Sequence, residues 1–255
     1  MASLYHGGLG SAPCGARTHR DKRGGGGENR LSGGSALTAL PSTPSLLADV
    51  DFEPDWPFDI GGSPFRVKGN PYVGLFEHAD RVLPGGRDAV LQQVERPDLL
   101  AFLSQPFMPS GWYDLYPLLG LAVAAGKLVG QSGAAFTRRR SAEQADEDIH
   151  GIYRFLLRFT TGHQLVRSVT RITTQLFEFG DAVSEELVPK RAIVVRTGMP
   201  AALAPWYEIV TTNYVTRAMQ LAGMRKPRVS LSMVRPAAEA HGVPMVDMPF
   251  RFEWA

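Results

Sequence analysis

A chain of 255 residues, 44% of them hydrophobic and 20% charged, carries enough apolar material for a sizeable core beneath an ordinary charged surface, which excludes wholesale disorder. The net charge of +2 is unevenly spread: Met1 to Ala48 hold five basic side chains (Arg17, Arg20, Lys22, Arg23, Arg30) against two acidic ones (Asp21, Glu28). The remainder is nearly neutral, so no nucleic-acid partner is expected. The single cysteine, Cys14, cannot close an internal disulfide, which points to a reducing, cytoplasmic setting.

Residues 1–48 contain ten glycines, including Gly24 to Gly27, and no apolar period. Such a segment cannot repay its ordering entropy by burial, and is expected to be a disordered, basic, Gly-rich tail. Residues 49–62 hold Pro54, Trp56, Pro57 and Phe58 and read as an extended strap laid on the domain through Trp56 and Phe58; an exposed docking peptide is the rival reading. Residues 63–255 are expected to form one domain.

Within it, Phe65 to Lys68 alternates as a short edge strand, and Pro71 suits the first turn of a helix ending near Pro84-Gly85. Further helices are expected from Arg87 to Glu95 and from Pro97. The ring-rich turn Phe107 to Tyr113 delivers Trp112, Tyr113 and Tyr116 to the start of another, which continues to about Gly130. Its stretch Leu115 to Val129 is interrupted by Gly120, Gly126 and Lys127 and falls short of the roughly 20 residues a spanning helix needs, so no membrane insertion is expected. Gly130 to Arg140 reads as a mobile connection. Ser141 is then the expected N-cap of a helix carrying Ile149, Ile152, Tyr153, Leu156 and Phe159, and the next carries Leu165, Val169, Ile172, Leu176 and Phe177.

The period changes near Ala192. A β-branched run to Arg196, a helix from Trp206 to Ala222 stopped by Gly223, and alternation from Arg228 to Met233 lead to a last strand. In that strand Phe250, Phe252 and Trp254 face one way while Arg251 and Glu253 face the other. The order predicts an α+β fold with helices packed on one face of a small antiparallel C-terminal sheet.

Several landmarks carry a family resemblance: the segment Phe107 to Tyr113, Phe179-Gly180 and Leu221-Ala222-Gly223 closing two helices, and the aromatic strand ending at Trp254. The stretch Arg66 to Trp254 resembles an uncharacterised family of paralogous proteins from myxobacteria, and more distantly the four-vinyl-reductase small-ligand domains and the Bet3-like proteins of the same α+β fold. The resemblance implies a ligand-sensing or adaptor domain that often works as a dimer. The small-ligand domains carry Cys- or His-containing C-terminal signatures, of which this chain has only His241.

No catalytic constellation emerges. No two of the six histidines lie three or four residues apart, so no metal site is expected. A haem would need a proximal ligand, for which His163 is the nearest candidate, but no cofactor is expected. Asp146 to Asp148 and Glu185-Glu186 read as solvated faces near helix ends. The candidate binding residues are rings: Trp112, Tyr113 and Tyr116 as one wall, and Trp206, Tyr207, Phe250 and Phe252 as the other. Arg196 or Arg217 would contact a polar end, Arg217 being the preferred anchor. The expected function is a noncatalytic sensor or adaptor binding a small apolar molecule, a partner protein or a second copy. The alternatives are an interaction domain with a filled core, using the strap or the helix face of Tyr207, Tyr214 and Leu221, and an enzyme of unrecognised type.

Overall fold

The computed structural model describes residue 52, residues 56–149 and residues 161–255. The expected tail lies outside the described residues, as do Ile152, Tyr153, Leu156 and Phe159.

The chain enters through β1 (Arg66–Lys68) and α1 (Asn70–Val82), α2 (Gly86–Gln92) and α3 (Pro97–Leu103). It continues with β2 (Trp112–Asp114), α4 (Tyr116–Leu128), α5 (Gly133–Ile149) and α6 (Gly162–Leu176). Next come β3 (Asp181–Val188), β4 (Arg191–Pro200), a 3₁₀ turn (Ala201–Leu203) and α7 (Ala204–Leu221). Three strands finish it: β5 (Arg228–Leu231), β6 (Arg235–Ala240) and β7 (Val243–Glu253). Proline sits in the first turn of α1, α3, α4 and α7, where its missing N–H costs no intrahelical bond and its fixed φ suits the helix.

Five antiparallel strands form the main sheet in the order β3-β4-β7-β5, with β6 paired to the first half of β7. The α+β class is therefore as read from the sequence. Cross-strand partners share a face, and Ala192 and Val194 of β4 oppose Phe252 and Phe250 of β7, which in turn oppose Val229 and Leu231 of β5. Phe250 and Phe252 are 2% and 1% exposed, while Arg251 between them is exposed. The alternation reads correctly because a strand turns successive side chains to opposite faces.

Several expectations are corrected. Trp112 and Tyr113 belong to β2, paired with Lys68 and Val67 of β1, and the helix begins only at Tyr116. Residues 133–140 are helical rather than a connection: Ser132 Oγ accepts from the Ala135 amide, while Ser141, mid-helix, donates its hydroxyl to the Thr137 carbonyl. Hydroxyl side chains serve both ends and interiors, which is why two serines nine residues apart compete as start signals. Glu185 and Glu186 lie on β3, paired with Arg235 and Arg191, not at a helix end. In α6 the inner edge is Leu165 and Val166, while Ile172 is half exposed.

Candidate functional site

The expected binding residues are distributed along a string of ring contacts. Tyr116 meets Trp56 and Phe58, Phe58 meets Phe65, and Phe65 meets Phe179, at centroid separations of 5.1–6.3 Å. The string continues from Phe179 through Phe177 to Tyr207, which touches Trp206 and Phe250. These are tilted and edge-on geometries, the arrangement by which aromatic quadrupoles pack in a dense interior. Trp206, Tyr207, Phe250 and Phe252 are buried in the core. Tyr113 belongs to another cluster, with Tyr72 and Phe107, and Trp112 lies beneath the Lys68 ammonium, 3.7 Å from its ring centroid.

The two arginines have different surroundings. Arg217 forms a bidentate pair with Asp146 of α5 and also donates to Gln220. Tyr214, on the same helix, donates to Asp148 at 3.0 Å, and Tyr207 is buried, so the α7 face of Tyr207 and Tyr214 packs within the fold. Arg196 is 2% exposed and donates to the carbonyls of Phe179, Asp181 and Thr197, with the rings of Phe177, Phe179 and Tyr207 around its guanidinium. Burial lowers its pKa from the ordinary arginine value. Gly180, at φ +59, leaves room for it: a Cβ there would stand 2.2 Å from Arg196 Nη1.

Of the expected residues, Tyr116 alone lines an apolar cleft of about 240 Å³. Pro57 of the strap forms one edge. Pro200, Ala201 and Ala202, between β4 and α7, form a second, and Gly242, Val243 and Pro244, at the tip of the β6–β7 hairpin, form a third. The hairpin turns on His241 and Gly242, whose φ values of 53° and 77° match the twist of the flanking strands. The His241 ring packs edge-on against Phe65. The dipeptide His241-Gly242, with glycine at the second place of a two-residue turn, was the available sequence signal for this wall; the small residues of the other had none.

Beside the cleft, the Asp114 carboxylate is buried and accepts from the amides of Gly61, Ser63 and Tyr116. Burial raises its pKa despite those bonds. Among the described residues no group of three or more His, Cys, Asp or Glu side chains is placed to hold a metal ion. His163, the sequence candidate for a haem ligand, directs Nε2 at the Val188 carbonyl at 2.8 Å and packs against Trp254. Among the described residues no single helix is long and apolar enough to cross a membrane.

No family model matches the chain, and no curated protein matches it. Solved structures with a similar layout include the unliganded Fe(II) H-NOX protein from K. algicida, at 11% identity and TM-score 0.48, covering 74% of this chain and 96% of that one. Another is an oxygen-binding H-NOX domain related to soluble guanylate cyclases, at 11% identity and TM-score 0.48, covering 73% of this chain and 94% of that one. With these TM-scores below 0.5, the likeness assigns neither ligand nor cofactor to this chain.

Proposed function

We propose that the chain is a noncatalytic sensor or adaptor domain that takes a small, largely apolar molecule into the cleft between the strap, the start of α4 and the β6–β7 hairpin. The observation that carries this reading is the lining itself: three prolines, two alanines, a valine and a tyrosine ring around about 240 Å³. Apolar walls favour a ligand that is costly to leave in water. The volume lies just below the roughly 300–1,000 Å³ of drug-sized pockets, so a single ring or short acyl chain suits it. Tyr116 is the ring contact. The family resemblance belongs to the same proposal.

The test is a ¹⁹F NMR titration with 4-fluorotoluene. Saturable broadening with a Kd of roughly 0.1–10 mM is expected, as befits one partly enclosed ring. Ala202 is exposed at the cleft rim, so Ala202→Trp should fill the space and abolish the broadening without moving the unfolding midpoint. Broadening that never saturates, or that survives Ala202→Trp, would favour an interaction domain with a filled core.

A further inference from the structure

The cleft has one wall that is attached differently from the others. Pro200 to Ala202 and Gly242 to Pro244 continue from strands of the main sheet, and Tyr116 opens a helix that is mostly buried. Pro57 belongs to the strap. Among the described residues, the backbone from Trp56 to Ile60 makes no hydrogen bond to the body of the domain except within its own turn, where Gly62 N donates to the Asp59 carbonyl. What holds it is side chains. The Trp56 ring lies over Gly120 of α4 and beside Tyr116, and Phe58 sits edge-on to Tyr116 and Phe65.

Described residues on either side of this segment are held more firmly. Phe52, upstream, is buried in the core. Downstream, Gly61 and Ser63 donate their amides to the buried Asp114 carboxylate at 3.0 and 3.4 Å. Just upstream of Ser63 stand two consecutive glycines, Gly61 at φ +85, with the conformational freedom a pivot needs once the Gly61 amide leaves Asp114 and the Ser63 amide stays on it. The Arg96 guanidinium lies over the Trp56 ring, 4.8 Å from its centroid. Arg96 is exposed and is held in place by both oxygens of Asp98. A segment with few backbone bonds and side-chain fastening is the kind that opens locally while the core stays folded.

We propose that residues 56–60 are a lid over the cleft, pivoting at Gly61-Gly62 and latched by Arg96 on Trp56. The purpose of the lid rests on the cleft being the ligand site, whereas its motion does not. Swinging the strap outward carries Pro57 away and opens one side of the cleft, while Tyr116 and the two sheet-borne walls remain. The latch is present with and without ligand, so weakening it speeds entry and exit alike and leaves affinity unchanged.

Native-state thiol labelling tests this on the full-length protein. Cys14→Ser removes the existing thiol, and Ile60→Cys introduces one on the half-buried strap itself, while Leu119→Cys in α4 reports opening of the core. The thiol at position 60 should react through a local opening that low urea does not change, and the one at 119 only with global unfolding. Arg96→Ala should speed reaction at 60 by about two- to fivefold, the factor for losing an exposed cation–π contact. Arg96→Lys should restore it, and position 119 should not respond. Reaction at 60 in step with 119, or indifferent to Arg96, overturns the lid. If 4-fluorotoluene fails to bind while position 60 still opens locally, the ligand reading fails and the lid stands. Saturable binding with position 60 opening only globally overturns the lid and leaves the ligand site standing.

Discussion

Replacing Phe250 by alanine separates a packed interior from a ligand-binding wall. The ring is 2% exposed, opposes Val194 and Leu231 on its two neighbouring strands, and meets Tyr207 edge-on at 5.9 Å. A buried aromatic side chain removes about 150–250 Å² from water, worth about 4–6 kcal/mol at roughly 25 cal/mol per Å². Residual compactness of the unfolded chain lowers this by about 10–40%, to about 2–5 kcal/mol, a range that contains the usual cost of about 3–5 kcal/mol for Phe→Ala in a core. With a urea m-value of about 2–3 kcal/mol/M for a domain of this size, the midpoint should fall by about 1–2 M at unchanged m. Urea unfolding followed by far-UV circular dichroism reads this directly. Arg251→Ala, on the opposite face of the same strand, should cost less than about 0.5 kcal/mol. Equal midpoints for Phe250→Ala and wild type would refute the register of β7 and the filled core with it.

Two further predictions concern buried polar groups. His78 is 2% exposed, and burial, with a lesser effect of Arg140, lowers its pKa to about 4. Above pH 6.5 the ring is neutral folded or unfolded; as pH falls from 6.5 to 4 only the unfolded chain takes up the proton, so stability is lost across that window, by roughly 3 kcal/mol in total. The difference between the stability–pH curves of wild type and His78→Leu should isolate this loss, and parallel curves would count against it. Arg196→Met should remove the guanidinium donor from the Phe179 and Thr197 carbonyls, leave the Asp181 carbonyl only the Thr197 hydroxyl, and cost at least about 3 kcal/mol, with accelerated amide exchange in β3 and β4. A change below about 1 kcal/mol would mean that the guanidinium is not what fastens residues 179–181 to β4.

What the sequence by itself determined was local: where proline opens helices, the switch of period near Ala192, and the inward face of Phe250 and Phe252, all properties that a few consecutive residues express. It did not separate Ser132 from Ser141 as a helix start, because both carry the same hydroxyl and only burial of Ala134, Phe136 and Thr137 shows that the helix already runs beneath them. It missed β3, whose two glutamates are matched by arginines 50 and 5 residues away, partners visible only once strands pair. The site was legible only at Tyr116. Large rings mark apolar burial wherever they occur, but whether they fill a core or face a space depends on what stands opposite. That was decided by the tertiary structure, which set a proline, two alanines and a hairpin tip across from one tyrosine and left the other rings to pack against each other.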